Sequence, residues 1–398
     1  MIIEQQSVEQ LLAMTTDESK TVRAAVARDL GRREMAMGVS PVVERLFALT
    51  ADSANGVRTA AVESLAQIGR ATPAVIAWLL TEMSAGKGRA RARAAKVLGE
   101  IGAVAATPAT IERLLTFTAE PHVSMRVLAV RTLGELGAAA ATPATRERLL
   151  ALTYDKDQGV AASVVAALGQ MGAAVATPAI IERLFSLVVE NERAPSFGAA
   201  HALAQMGDSV VTPEMIEKIR MLTMKPDANM RAMAVWLLGQ MGTAIATPSI
   251  IERLLVLASD EDKNVRSQVA GVLGLLGKAY ATPVTIERLA ALLRDSDEQV
   301  LSTALWALQQ MGTAATPAPV EPLLSLLANE RNSACFRAAC LLRQLSDAEE
   351  VLQRLEQFWQ KQTRNNGEAV ILGQNRRVGD VANEELRQIT RRREERGA

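Results

Sequence analysis

Apolar residues recur in this chain at positions i, i+3 and i+4, in two stretches within each repeat of about 35 residues. The segment 107–141 shows both stretches. The first carries Ile111, Leu114 and Leu115, and the second spans 125–137 with apolar side chains again at helical spacing. This spacing predicts two amphipathic helices per repeat, which we call helix A and helix B. No alternating run of β-branched residues interrupts the repeats, so the fold is predicted to be all-α.

The residues that separate the stretches recur with the same period. Thr-Pro pairs open the repeats at a constant spacing of 35 residues, at Thr72, Thr107, Thr142, Thr177, Thr212, Thr247 and Thr282. Related starts occur at Ser40 and Thr316. Threonine caps the N-terminus of a helix and proline fits its first position, whereas Gly137 suits the left-handed residue after helix B. A fixed period of this size predicts a solenoid, in which each repeat packs mainly on its neighbours.

The period divides the chain into three regions. Residues 1–39 form a charged first helix pair, residues 40–346 form nine regular pairs, and residues 347–398 depart from the pattern. A polar first pair is expected because the end of a stack faces water. In the last region Ser346 opens a capping box, 364–379 predict a long loop or small hairpin, and a final helix follows. We interpret this region as a degenerate pair that closes the stack, with a tail that docks a partner as the alternative.

One regular repeat has an unusual turn. In the repeat that begins at Thr177, residues 191–195 read Asn-Glu-Arg-Ala-Pro. This turn predicts a longer loop or a shifted B helix.

The B helices carry the residues that suggest a family. They read Val-Arg-Thr-Ala-Ala-Val-Glu-Ser-Leu-Ala-Gln-Ile-Gly at 57–69 and Val-Arg-Ser-Gln-Val-Ala-Gly-Val-Leu-Gly-Leu-Leu-Gly at 265–277. Across residues 7–346 this pattern resembles the HEAT repeats, in particular their short bacterial branch related to phycobilisome-lyase HEAT-like repeats. Ankyrin repeats continue Thr-Pro with Leu-His, which no repeat here does, and tetratricopeptide repeats need aromatic residues, which make up only 3% of this chain.

The resemblance implies a specific architecture. It is a right-handed α-solenoid of about eleven antiparallel helix pairs, with the A helices on the convex side and the B helices on the concave side. Binding is implied on the concave side.

An acidic residue stands six positions before the arginine of several B helices. These pairs are Asp17 with Arg23, Asp52 with Arg58, Glu120 with Arg126 and Asp260 with Arg266. The resemblance implies that such pairs form a ladder between successive turns, and the alternative is that they are solvated turn charges. The ladder is interrupted where other residues replace the arginine, at Ala161, Ser196, Leu301 and Cys335.

One row of helix B positions is expected on the concave face. Counting the Val of Val-Arg as zero, position six lies about 200° from the mean core direction, at about 100° per residue. This position holds Arg28, Glu63, Lys96, Arg131, Ala166, His201, Trp236, Gly271, Trp306 and Cys340. Position two adds Phe197 and Phe336, and position ten holds a row of glutamines.

The row changes from charged to aromatic residues halfway along the chain. Large aromatic side chains dominate the energy of many interfaces, so we interpret the later residues as a strip that binds a partner and the earlier charges as steering groups. The predicted partner-binding residues are Phe197, His201, Trp236, Trp306, Phe336, Arg28, Lys96 and Arg131. The alternative is that the rings fill space between adjacent B helices.

Composition narrows the class of function. Lys plus Arg and Asp plus Glu number 44 each, and this neutral balance argues against a protein that holds phosphate backbones. One basic cluster, with Arg89, Arg93 and Lys96 expected on one face, could meet an acidic partner or nucleic acid; its members are Lys87, Arg89, Arg91, Arg93 and Lys96. No spacing of the two histidines, the two cysteines or the acids predicts a catalytic, metal or cofactor site.

The sequence shows no targeting signal. No basic region precedes a long apolar run at the N-terminus, and no apolar run is expected to approach the length of a membrane span. We therefore expect a cytoplasmic protein without a membrane partner.

The leading hypothesis is a non-enzymatic scaffold that holds a protein or peptide partner on its concave face. A nucleic-acid-binding HEAT-like protein is the second hypothesis. The third is a lyase-like protein that handles a tetrapyrrole or another small ligand in the gap that Gly271 leaves between Trp236 and Trp306. The partner, the pathway and the oligomeric state do not follow from the sequence.

Overall fold

A computed structural model describes residues 6–33, 41–85, 89–190, 195–315, 319–327, 333–346, 348–366, 370–371 and 376–397. Within these residues 22 α-helices alternate as A and B helices in eleven pairs, so the predicted all-α fold and the number of pairs are confirmed. The contacts divide the chain into two compact parts, an N-terminal half, Met1–Val210, and a C-terminal half, Val211–Ala398.

The helices follow the predicted order. The A helices are α1 Val8–Met14, α3 Pro41–Leu49, α5 Pro73–Ala85, α7 Pro108–Phe117, α9 Pro143–Leu152, α11 Pro178–Val189, α13 Pro213–Leu222, α15 Pro248–Leu257, α17 Pro283–Leu292, α19 Val320–Leu327 and α21 Glu349–Asn366. The B helices are α2 Lys20–Arg33, α4 Asn55–Ala71, α6 Arg89–Ile101, α8 Val123–Glu135, α10 Gln158–Met171, α12 Pro195–Gln205, α14 Ala228–Gln240, α16 Lys263–Leu276, α18 Glu298–Met311, α20 Ser333–Leu345 and α22 Val378–Gly397. Two short strands, β1 Val370–Ile371 and β2 Arg376–Arg377, pair antiparallel between α21 and α22, with Val370 opposite Arg377.

The Thr-Pro pairs start the A helices as predicted. The hydroxyl of Thr107 accepts a hydrogen bond from the main-chain N–H of Thr110, and Pro108 is the first helical residue. The same cap recurs at Thr142, Thr177, Thr212 and Thr282. Each cap satisfies a donor that the first turn of a helix otherwise leaves without a partner.

The end of helix B is also set by one residue. Gly137 has a φ of 66°, and glycines with positive φ recur every 35 residues from Gly102 to Gly312. The alanine-rich segment after helix B forms a turn of 3-10 helix, Gly137–Ala140. The left-handed glycine lets this turn lead directly into the next Thr-Pro cap.

The A helix of the irregular repeat is longer than those of its neighbours. Helix α11 spans 12 residues, Pro178–Val189, whereas α9 and α13 span 10 residues each. The first described residue of α12 is Pro195, so the predicted longer loop or shifted B helix stays a prediction. Several predicted features lie outside the described residues, namely residues 191–194 of this turn, the starts at Ser40 and Thr316, Lys87 of the basic cluster and Asp347 of the capping box.

Consecutive B helices pack on one another within each half. In the N-terminal half the series runs from α2 to α12 through the even-numbered helices, and in the C-terminal half from α14 to α20. Close contact depends on a small residue at position nine. A Cβ atom on Gly134 of α8 would lie 2.8 Å from the Cα atom of Ala167 in α10, closer than two carbon atoms can approach.

Gly134→Ala is expected to lower the free energy of unfolding of the N-terminal half by about 2 kcal/mol, because α8 and α10 must move apart. Gly56→Ala is the matched control. Among the described residues beyond its own helix, no atom lies within 4 Å of a Cβ atom at Gly56, so the same substitution should stabilise α4 by about 0.5 kcal/mol. Urea unfolding, with amide hydrogen exchange of the two helices, measures both effects. Equal losses at Gly56 and Gly134 would contradict the packing argument.

One stretch corrects the expectation about apolar runs. Within the described part of the chain, Gln158–Val175 is long and apolar enough, by length and composition, to cross a membrane, and half of it is buried inside the protein. This stretch contains α10, which packs between α8 and α12. Its apolar character is accounted for by this packing on both sides.

The C-terminal region is joined to the stack by charged side chains. Helix α22 packs on α21, and the carboxylate of Glu385 in α22 accepts a hydrogen bond of 2.6 Å from the Nε of Arg343 in α20. Arg393 of α22 contacts Glu349 and Glu356 of α21, each at 2.8 Å. These contacts place the final helix pair after α20 in the same order as the repeats.

Candidate protein-binding face

The B helices are held in register by a ladder of arginine and aspartate. Arg231 of α14 donates to both carboxylate oxygens of Asp260, at 2.9 and 2.8 Å, and to the main-chain oxygens of Lys225 and Pro226. The aspartate belongs to the following repeat. The same bridge joins Arg23 to Asp52, Arg126 to Asp155 and Arg266 to Asp295.

The predicted ladder between successive turns is therefore present. The pairing of each arginine with the acidic residue six positions before it was wrong. Arg23 contacts the main-chain oxygen of Asp17, six residues before it, and gives its salt bridge to Asp52, 29 residues after it. The hydrogen bonds from Arg23 hold the pKa of Asp52 below its ordinary value. The carboxylate of Asp52 also accepts a hydrogen bond from the main-chain N–H of Ala54. The same carboxylate therefore stabilises its own turn and links that turn to the preceding repeat.

A second row links the A helices, and the sequence reasoning did not identify it. Arg148 of α9 donates from Nε to the hydroxyl of Thr118 and from Nη2 to its main-chain oxygen, both at 2.8 Å. Thr118 is buried at the end of α7. The contact recurs in Arg45 with Thr15, Arg183 with Thr153 and Arg253 with Thr223. The constant spacing of 30 residues between threonine and arginine was a signal available in the sequence.

The N-terminal half presents charge on the outer side of its B helices. Arg28, Lys96 and Arg131 are exposed as predicted for position six. Glu135 at position ten folds its carboxylate back over Gly99 of the preceding B helix. Burial of this carboxyl raises the pKa of Glu135, although the positive charges of Arg131 and Lys96 oppose the shift.

Two residues of the predicted strip lie on the surface of the N-terminal half. The side chain of Phe197 is 68% exposed, and His201 on the same helix α12 is also exposed. Ala162 and Ala166 of the neighbouring α10 are exposed and small. Phe197 therefore lies on the surface next to a helix whose side chains leave it uncovered.

The basic cluster is divided rather than gathered on one face. The guanidinium of Arg93 lies over the ring of Phe47, with its Cζ atom 5.3 Å from the ring centre. Arg91 donates to the main-chain oxygen of Ser84, while Arg89 and Lys96 are exposed. Arg89, Arg93 and Lys96 therefore do not form the single exposed face that was expected, because the buried ring of Phe47 attracts the guanidinium of Arg93.

The glutamines at position ten lie against the preceding helix. The side-chain oxygen of Gln170 lies over Gly134, and that of Gln205 lies over Gly169. Both glutamines remain exposed on their outer side. The row therefore covers the glycines that allow the close helix contact.

The C-terminal half presents aromatic and apolar side chains at the same positions. Trp236 and Trp306 are half-buried, and the ring of Trp306 lies over Gly274, whose Cβ position is 2.6 Å from Cζ3. Between the two tryptophans, the side chain of Thr303 lies 3.7 Å from the Cβ position of Gly271, and no other described residue outside α16 lies within 4 Å of it. Leu275 stands at position ten, where most repeats have glutamine, and its side chain is 59% exposed. Sequence reasoning missed Leu275 because it considered only the glutamines at position ten.

Phe336 has a different environment from the other residues of the predicted strip. Its ring stacks on Trp359 of α21, with centres 5.9 Å apart and an angle of 29°, and meets Phe358 edge to face at 6.0 Å. These contacts favour the packing alternative for Phe336. In the part of the chain that the structure describes, no group of three or more His, Cys, Asp or Glu residues is placed to hold a metal ion.

Comparison with known proteins identifies the repeat. A family model described as HEAT repeats matches residues 8–85, 216–309 and 253–341, which together make up just over half of the chain. No curated protein sequence matches the chain.

Several solved structures share the fold. Yeast importin-β (Kap95p) superposes with a TM-score of 0.65 at 13% identity, covering 97% of this chain and 56% of that protein. Importin-β crystallised in ammonium sulfate gives 0.56 at 14% identity, with 97% and 63% covered, and Kap121p gives 0.51 at 16%, with 91% and 46% covered. The chain thus spans about half the length of these proteins. With its repeating helix pairs and their caps, the chain forms an all-α solenoid and belongs to the HEAT-repeat family.

Proposed function

We propose that this protein is a non-enzymatic scaffold that binds a protein or peptide partner on the face formed by its B helices. The observation that carries the proposal is the placement of aromatic side chains. In a chain with only 3% aromatic residues, Phe197 is exposed and both Trp236 and Trp306 are half-exposed on the outer side of B helices. Such side chains supply much of the binding energy at interfaces. The family resemblance puts this face on the concave side of the solenoid.

Proteins of similar fold support the kind of partner. Structures of Kap95p include one in which its binding changes the switch loops of RanGDP and one of its complex with Nup1. RanGDP and Nup1 are partners of Kap95p, and this chain resembles Kap95p only in its fold. We infer a protein partner here from the exposed aromatic residues together with that fold.

The double substitution Trp236→Ala with Trp306→Ala is expected to weaken partner binding by at least about tenfold, because it removes two aromatic anchors. The experiment is an affinity pull-down from nuclease-treated extract, with dissociation constants measured for each protein that the wild type retains. Trp78→Ala is the matched control, since Trp78 is a half-buried tryptophan of the A helix α5 that packs edge to face on Phe47. Circular dichroism confirms that all variants remain folded.

Three results would count against this function. Equal partner binding by the wild type and the double variant would show that the two tryptophans are not part of the interface. Binding of added DNA or RNA that is lost at high salt, with no protein retained in the pull-down, would favour nucleic-acid binding. An absorbance change on mixing with a bilin, absent in the double variant, would favour handling of a tetrapyrrole.

A further inference from the structure

Helices α14, α16 and α18 of the C-terminal half carry no ionisable group at their three outward positions. Positions two, six and ten of α14, α16 and α18 hold Ala232, Trp236, Gln240, Ser267, Gly271, Leu275, Ser302, Trp306 and Gln310. In the N-terminal half, the same positions of α2 to α8 include the charged residues Arg28, Arg32, Glu63, Lys96, Glu100, Arg131 and Glu135. Helices α2 to α8 and helices α14 to α18 therefore present surfaces of different chemistry.

The apolar residues of this uncharged face are neighbours. Gly271 and Leu275 lie one turn apart on α16, and α16 packs on both α14, which carries Trp236, and α18, which carries Trp306. Leu275 reaches back over Gly239 of α14, with Cδ1 3.8 Å from the Cβ position. We call Trp236, Gly271, Leu275 and Trp306 the apolar patch. A leucine that is 59% exposed between two half-exposed tryptophans is a costly surface in water unless something covers it.

Hydrogen-bonding groups lie on both sides of the apolar patch. Ser267 and Ser302 are half-buried at position two, and Gln240 and Gln310 are exposed at position ten. An extended peptide needs partners for its main-chain N–H and C=O groups, whereas a helix satisfies its own. Rows of hydroxyl and amide groups that flank apolar side chains therefore fit an extended peptide better than a helix.

The dimensions of the patch agree with this occupant. Trp236 and Trp306 lie on B helices that are two places apart, which corresponds to about 20 Å at the usual spacing of packed helices. An extended chain advances about 3.3 Å per residue and turns alternate side chains to the same side, so about six residues cross the patch. The absence of a Cβ atom at Gly271 leaves room for one apolar side chain of such a peptide between the tryptophans.

We propose that the apolar patch binds an extended, uncharged protein segment with apolar side chains at alternate positions. This inference rests on the proposed scaffold function and specifies the partner for the C-terminal half. Affinity comes from apolar contacts with Trp236, Leu275 and Trp306, and from hydrogen bonds of the flanking glutamines and serines. Because no ionisable group stands at the outward positions of α14, α16 and α18, the binding should depend little on salt.

The probe is a phage-displayed library of random linear peptides of about twelve residues, which is long enough to cross the patch with flanks. The full chain is immobilised, and enriched peptides are synthesised and measured by fluorescence anisotropy at about 0.05 M and about 0.5 M NaCl. The test variant is Leu275→Gln. It introduces the residue that Gln240 and Gln310 already provide at this position, and it changes a side chain that is largely exposed, so the fold is preserved.

The expected result is a set of peptides with apolar residues at alternate positions and little charge. Their dissociation constants should change less than about twofold with salt and rise by about tenfold with Leu275→Gln. Arg131→Ala, on the charged face of the N-terminal half, should leave them unchanged. The proposal would be overturned by enrichment of strongly charged peptides whose binding depends on salt. It would also be overturned if Leu275→Gln left the dissociation constants unchanged.

Two further outcomes separate this proposal from the scaffold function. If the peptides bind Leu275→Gln as tightly as the wild type but no longer bind Phe197→Ala, the apolar patch is not their site. This result would overturn the proposal and leave the scaffold function intact. Failure to enrich any peptide would overturn the extended-segment proposal. If no peptide is enriched and the double tryptophan variant also retains every partner in the pull-down, both the extended-segment proposal and the proposed scaffold function would be overturned.

Discussion

Arg231→Ala is expected to lower the free energy of unfolding of the C-terminal half by about 4 kcal/mol. The side chains of Arg231 and Asp260 are only 9% and 8% exposed. The guanidinium donates to both oxygens of Asp260 and to the main-chain oxygens of Lys225 and Pro226. Its removal leaves a largely buried carboxylate without its cation and two carbonyl groups without a donor, and each of these costs free energy.

Arg58→Ala is the matched control for this substitution. Arg58 also donates to two main-chain oxygens of its own turn, those of Asp52 and Ser53. Among the described residues of the next repeat, no carboxylate forms a salt bridge with it, so its loss should cost only about 1 kcal/mol. Solenoids do not unfold in one step, so amide hydrogen exchange should accompany urea unfolding to assign each loss to its helices. Similar losses for both variants would show that the bridge between repeats adds little.

Acid provides a second measurement on the same pair. Burial disfavours the ionised form of Asp260, but the hydrogen bonds from Arg231 and from the main chain of Asp262 outweigh it, and the pKa lies below its ordinary value of 3.8. A carboxyl with a lowered pKa stabilises the fold fully above its ordinary value, and this contribution is lost as the pH falls through the lower folded value. The stability difference between the wild type and Arg231→Ala should therefore be constant near neutral pH and shrink below about pH 3.8.

This ladder shows what a periodic sequence can and cannot specify. The position of each arginine followed from the period, and so did the repeat position of its acidic partner. In a repeating chain, the acid six residues before an arginine and the acid 29 residues after it occupy the same place in successive repeats. Both pairings therefore fit the sequence equally well. Only the contacts of Arg23, which forms its salt bridge with Asp52 rather than with Asp17, show that the bridge crosses to the next repeat.

The predictions for the B-helix face were more complete where the repeats are regular. Outward exposure at positions six and ten followed from helical geometry, and the structure places Arg28, Lys96 and Arg131 accordingly. Leu275 was missed because its importance comes from a neighbouring helix rather than from its own row. Phe336 was grouped with the strip because α21 does not follow the period, so the sequence did not show which side chains cover that ring.

Trp359→Ala is expected to lower the free energy of unfolding of the last helix pairs by about 4 kcal/mol. Trp359 is completely buried, stacks on Phe336 of α20 and meets Phe358 edge to face at 5.0 Å. Truncation to alanine removes the ring that joins α21 to the B helix before it, and a cavity remains. The loss should appear as faster amide hydrogen exchange in α20, α21 and α22 together.

Trp359→Phe is the matched control for the cavity. The indole Nε1 of Trp359 is buried and has no hydrogen-bond partner among the residues described. Phenylalanine keeps an aromatic ring against Phe336 and removes this unsatisfied donor, so the net change should stay within about 1 kcal/mol.

The same pair of variants distinguishes the two interpretations of residues 347–398. If this region closes the stack, Trp359→Ala must also destabilise α20, because Phe336 and Arg343 of that helix lose packed partners when α21 and α22 loosen. A region that serves mainly to dock a partner would loosen while the exchange of α20 stays unchanged. Since Glu385 is buried against Arg343, we expect α20 to respond, and an unchanged α20 would contradict the closing role.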